Sequence, residues 1–156
     1  MNKTIKVSFT ELYPLIKNAI ENGNSFSFVA FGNSMSPFIC GGKDKVTLSP
    51  IKTPLRKGDI IFYKRSSGIF VLHRITKICG DCFELCGDNQ FRIEKGIHFN
   101  QIIGVLTDIE RNNKKINLGS MSAKLWIAYL PLRRFFKTFI YLCKRITKKL
   151  LHFFKK

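Results

Sequence analysis

Carboxylates are scarce in this chain: ten Asp and Glu stand against 27 Lys and Arg in 156 residues, a formal charge of +17. None follows Glu110, whereas ten Lys or Arg lie between Ser120 and the C-terminus. The body therefore carries only about +7, and the excess sits in a tail. Long apolar runs are missing as well. No stretch offers the ~18 consecutive apolar residues a membrane span needs; Leu-Trp-Ile-Ala-Tyr-Leu-Pro-Leu at 125–132 comes closest and stops at Arg133-Arg134. The N-terminal Met-Asn-Lys-Thr-Ile-Lys-Val has no apolar core followed by a small-residue cleavage site, so the expectation is a chain without a secretory signal. Five cysteines, an odd count without an export signal, favour reduced thiols in a cytoplasm over a disulfide framework. What is abundant is apolar residues, at 45%, enough for a real core and against disorder.

Residues 8–22 read as a helix: Ser8 or Thr10 can cap, Glu11 lies in the first turn, and Leu12, Leu15, Ile16, Ala19 and Ile20 recur at helical spacing until Asn22-Gly23. After Asn24 the period changes to two, with Phe26, Phe28 and Ala30 alternating with Ser25, Ser27 and Val29. Short strands are predicted at 45–48, 59–64, 70–78, 82–86, 102–111 and 115–118, punctuated by Gly58, Gly68, Gly80-Asp81, Gly87-Asp88-Asn89 and Asn112-Asn113. The expected fold is mainly β with flanking helices, an α+β arrangement: a helix over 1–23, a compact antiparallel β domain over 24–118, and a helical tail over 119–156. Pro131 is expected to divide the tail, because proline lacks a backbone donor and disfavours helix in the residue before it.

Chemistry is sought where a strand ends. Gly32-Asn33-Ser34-Met35-Ser36-Pro37 follows the first strand directly, and Ser34 is there either a turn residue or a nucleophile. A serine hydroxyl needs a base within reach and a third group to fix that base. Of three histidines, His73 lies inside the strand-like Phe70–Ile75 run, where it can be presented rigidly; His98 and His152 read as structural or solvated. Asp88, just past a strand end, is the candidate orienting acid, with a plain Gly-Asp-Asn turn as the alternative reading. Cys79-Gly80-Asp81-Cys82 has thiolates at a zinc-like spacing, but Gly80-Asp81 makes a good hairpin turn and no matching second ligand pair exists, so no metal and no cofactor is expected. Gly119-Ser120-Met121-Ser122 nearly repeats the opening motif without its strand or proline; Ser120 or Ser122 reads there as a helix cap.

Five blocks in order, Gly32-Asn33-Ser34-Met35-Ser36-Pro37, Lys57-Gly58-Asp59-Ile60-Ile61-Phe62, Val71-Leu72-His73-Arg74-Ile75, Gly87-Asp88-Asn89 and Ile103-Gly104-Val105, resemble the type I signal peptidase and LexA-like serine peptidase superfamily over about residues 25–110. The resemblance implies a serine endopeptidase with Ser34 as nucleophile, and with Met35, Gly32 and Pro37 beside the substrate. His73-Arg74, where other branches have Lys-Arg, resembles the endoplasmic reticulum and archaeal branch. That branch carries a further Asp after the Gly-Asp-Asn motif, where this chain has Gln90-Phe91-Arg92-Ile93-Glu94. Asp88 is the preferred acid and Glu94 the substitute. Many leader peptidases also have a serine two residues before the nucleophile, where Gly32 stands, so backbone N–H groups around Ser34 would meet the oxyanion. The implied activity is removal of a leader or signal-like peptide through an acyl-enzyme; the alternatives are an inactive peptide-binding domain or a LexA-like autoprotease, the latter opposed by the missing lysine base.

Family leader peptidases carry an N-terminal membrane anchor, and this N-terminus reads as a soluble helix. Residues 133–156 instead form a basic amphipathic helix, with Lys, Arg and His on one arc and Phe135, Phe136, Phe139, Leu142, Ile146, Leu150 and Phe153 opposite. Three readings of the tail remain: its apolar face docks on the β domain, the helix binds an anionic membrane surface, or it binds nucleic acid. Aromatics placed away from the charge suit lipid better than phosphate tracking with base stacking. The expected location is cytoplasmic, peripheral on the inner membrane face, with a peptide or protein substrate as partner.

Overall fold

The computed structural model describes residues 9–153 apart from residue 53, with side chains described for 10–147. The elements in chain order are α1 (Phe9–Glu21), β1 (Phe26–Val29), β2 (Lys45–Ser49), β3 (Ile60–Lys64), β4 (Phe70–Cys79), β5 (Cys82–Cys86), β6 (Glu94–His98), a 3-10 turn (Phe99–Gln101), β7 (Ile102–Arg111), β8 (Lys114–Ile116) and α2 (Met121–Phe153). The protein is α+β: a short N-terminal helix, an eight-stranded antiparallel sheet and a long C-terminal helix. The sheet runs β1-β2-β7-β3-β4-β5-β6, and β8 pairs with β7.

Alternation decides which side chains enter the core. On β1, Phe26 and Phe28 point inward, while Ser27 turns out and hydrogen-bonds Thr47 across the β1–β2 pair at 2.8 Å. β3 is buried on both faces, so its four apolar residues divide between two clusters. Ile60 and Phe62 join Ile16 of α1, Phe28, Val46, Leu48, Leu106 and Ile109; Ile61 and Tyr63 join Ile75, Phe83, Leu85 and Ile97. Leu12 and Ile20 extend the α1 contact with the first cluster, and Tyr13 packs its ring 4.8 Å from Phe70. α1 thus covers one face of the sheet with Leu12, Ile16 and Ile20 of the expected stripe, while Leu15 is exposed.

Most predicted strands are observed within a residue or two of their expected bounds. β6 is the unpredicted one. Its sequence, Glu-Lys-Gly-Ile-His, is that of a sheet edge, where charge and a glycine blunt further pairing and erase the apolar alternation. Cys79 and Cys82 face each other across the Gly80-Asp81 turn, as the hairpin reading expected. Ser120 caps α2 by accepting from the Ala123 N–H at 3.2 Å.

The tail corrects one expectation and one of the three open readings. Pro131 does not divide it: α2 continues through that position as one helix of 33 residues. A proline inside a helix costs one hydrogen bond and a clash, ~3 kcal/mol, and here contacts on both sides of it hold the helix to the body. Ala123 and Leu130 are buried before and beside it, and Arg133 and Lys137 bind the 87–89 turn after it. Nor is it the Phe face that docks. Beyond Leu130 the cationic face turns toward the body, and Phe135, Phe136, Phe139 and Ile146 are exposed.

Candidate active site

Ser34 lies in the loop between β1 and β2, and several close contacts hold that loop. Gly32 has φ +76°, a left-handed conformation suited to glycine, and its main chain lies so close to Gly41 that a Cβ there would strike the Gly32 carbonyl oxygen. Asp44, fully buried, accepts from the Cys40 N–H at 2.7 Å and from Arg111 Nε and Nη2 at 2.7 and 2.6 Å. The same guanidinium donates to the Pro37 and Phe38 carbonyls. Burial alone would raise the Asp44 pKa, but Arg111 and the Cys40 amide outweigh it and hold the carboxyl below its usual range. Asp44 and Arg111 were not singled out in the sequence, where each is one charge in a polar neighbourhood.

The second anchor is the Gly87-Asp88-Asn89 turn after β5. The Asn89 N–H donates to the Ser34 carbonyl at 2.8 Å, and Asn89 Nδ2 donates to the Asn33 carbonyl at 3.1 Å. A Cβ on Gly87 would lie 2.5 Å from the Ser34 carbonyl oxygen and 3.0 Å from His73 Nε2. Only glycine leaves room there, and one residue touches both the Ser34 main chain and the imidazole.

His73 is carried by β4 opposite Ile61 and is 1% exposed. Its Nδ1 lies 3.1 Å from Glu94 Oε1 and 3.3 Å from the Tyr63 hydroxyl. Glu94, at the start of β6, is in turn gripped by Arg65, Nε to Oε2 at 2.7 Å and Nη2 to Oε1 at 2.5 Å. A carboxylate only accepts, so Nδ1 carries the proton and the Nε2 lone pair is free. Nε2 is buried and has no hydrogen-bond partner. Burial lowers the His73 pKa to about 4 despite the adjacent Glu94, with Arg65 acting in the same direction as burial. Glu94 itself is pushed up by burial, but Arg65, Tyr63 and His73 together bring it below the usual range.

Asp88, the preferred orienting acid, is bonded elsewhere. Arg74 Nε and Nη2 meet its two oxygens at 2.9 and 2.7 Å, and Trp126 Nε1 donates to Oδ2 at 3.0 Å. The reason lies in the strand: Arg74 follows His73 and leaves β4 on the opposite face, under the Phe38 ring, and draws the carboxylate there. The carboxylate on the imidazole is Glu94.

A cavity of about 240 Å³ is lined by Ser34, His73, Gly32 and Met35 together with Phe28, Phe62 and Phe70. A wider concavity of about 590 Å³, lined by residues 89–92 with Arg65 and Glu94, shares Arg65 and Gln90 with it. Met35 is buried in the wall, whereas Pro37 is exposed and outside the lining. Ser34 Oγ makes no hydrogen bond among the described residues, to Nε2 or otherwise, and the Ser34 and Met35 amides likewise donate to none. Ser34, Met35 and His73 thus line one cavity, with the two amides undonated and the imidazole Nε2 unpartnered. His98 lies on the β6 edge with Nδ1 3.4 Å from Cys82 Sγ. No family model matches the chain, and no curated protein sequence matches it.

Proposed function

We propose that this chain is a serine endopeptidase of the signal peptidase and LexA-like type, with its β domain as the catalytic body, acting through Ser34, His73 and Glu94. The observation that carries the reading is the His73 ring: a buried imidazole fixed at Nδ1 by a carboxylate, with Nε2 unpartnered, on a residue that lines the same cavity as Ser34. A packed structural histidine would be expected to satisfy both nitrogens.

In this reading, Nε2 takes the Ser34 proton as Oγ adds to a peptide carbonyl. The imidazolium, stabilised by Glu94, then gives the proton to the leaving amine, and an acyl-enzyme remains. Water enters with Nε2 again as base, adds to the ester carbonyl, and releases Ser34 and the carboxylate product. The free amides of Ser34 and Met35 are the candidate oxyanion donors. Catalytic hydrogen bonds often tighten only with substrate bound. The Phe- and Met-lined cavity suits an apolar substrate side chain, and the adjoining concavity gives an extended peptide a continuous path.

The test is a degenerate peptide library sampled by mass spectrometry before and after incubation. Wild type should give a restricted set of cleavages with an apolar residue near the cut, absent with Ser34→Ala. Identical product sets from the two proteins would refute the reading.

A further inference from the structure

The side of α2 turned away from the body is apolar over most of its length. At ~100° per residue, Leu125, Tyr129, Leu132, Phe136, Phe139 and Ile146 share one stripe, and each is exposed. Phe135 beside them is 67% exposed. Arg133 and Lys137 flank the stripe on the side toward the body, where they bind Asn89, and Lys144 continues that flank exposed to solvent. In water this helix is inside out, since monomeric proteins rarely expose a contiguous apolar patch of more than a few hundred Å².

We propose that α2 lies along an anionic bilayer surface, its outer stripe among the acyl chains and its exposed cations Lys124, Lys144 and Arg145 level with the headgroups. Charge selects this occupant. No carboxylate follows Glu110, and ten Lys or Arg lie from Ser120 onward, so a second copy would bring like charge against like, whereas anionic headgroups neutralise it. Among the described residues no helix is long and apolar enough to cross a membrane, so the helix lies on the bilayer rather than through it. Because its inner side grips the 87–89 turn, the cavity of Ser34 and His73 would be held next to the lipid surface.

The proposal does not depend on catalysis. The full chain is floated with vesicles of phosphatidylcholine alone and of phosphatidylcholine mixed with phosphatidylglycerol. Co-flotation with the anionic vesicles is expected, on the order of tenfold or more above neutral vesicles, and Ser34→Ala should float equally. Leu132→Ser/Phe136→Ser/Phe139→Ser should abolish flotation with an unchanged melting temperature, these side chains being exposed already; Leu132→Ser alone should weaken it in the same direction. Wild type left in the aqueous fraction with both vesicles would overturn the proposal. So would a dimer in light scattering that the triple variant dissolves while flotation persists.

Discussion

Two acids distinguish themselves at the scale of single residues, and their substitutions should separate chemistry from stability. Glu94→Gln keeps the shape but loses the charge that fixes the imidazole proton on Nδ1; kcat should fall by about 10²- to 10⁴-fold with little change in KM. Asp88→Asn removes half of a fully buried ion pair and leaves Arg74 uncompensated, so it should cost about 3–5 kcal/mol in denaturant unfolding. The sequence offered two carboxylates for His73 and preferred Asp88 through its Gly-Asp-Asn motif; only the register of β4 reveals that Arg74 takes that residue to the other face.

The His73 titration gives a second check at this scale. The base must be neutral, and burial holds its pKa at about 4, so the acid limb of kcat/KM should lie near pH 4 rather than at the ordinary 6.5 of histidine. The same shift bears on folding. Below 6.5 the unfolded chain takes up a proton that the folded one refuses, so unfolding binds protons in that interval. Stability is therefore lost as pH falls from 6.5 toward 4, on the order of 3 kcal/mol. His73→Gln should remove that part of the dependence, as measured by unfolding across the range.

Among the elements, the 87–89 turn joins the candidate site to α2. It holds the Ser34 loop through Asn89 and is held by Arg133 and Lys137, the latter donating to the Asn89 carbonyl at 2.7 Å. Arg133→Ala/Lys137→Ala should therefore lower kcat without touching the cavity wall, and Gly87→Ala should do so more severely by forcing Ser34 and His73 apart. A rescue of the double variant by Arg133→Lys, with Lys137 restored, would mark positioning rather than bulk packing. Strands bounded by Gly and Asn turns were legible because those residues punctuate the period-two pattern. β6 was not, because an edge strand made of Glu, Lys and Gly carries no such pattern. Pro131 misled because a local rule for isolated helices ignores contacts that hold both halves.

Taken whole, the molecule divides its chemistry between a β body and a helix that faces two ways. The amphipathic pattern of α2 was visible in sequence, but not which side would meet the body; that depended on the carbonyls and amide of the 87–89 turn, unreadable before folding. The order of Ser34, His73 and Asp88 was readable, whereas the Asp44–Arg111 pair that anchors the Ser34 loop spans 67 residues and leaves no local signature. The central claim is that Ser34 is an activated nucleophile served by His73. Its most direct measurement is fluorophosphonate labelling of the full chain, with the adduct mapped by tryptic mass spectrometry. A single adduct on Ser34, lost in His73→Ala and slowed in Glu94→Gln, is the predicted result; labelling that persists unchanged in Ser34→Ala would contradict it.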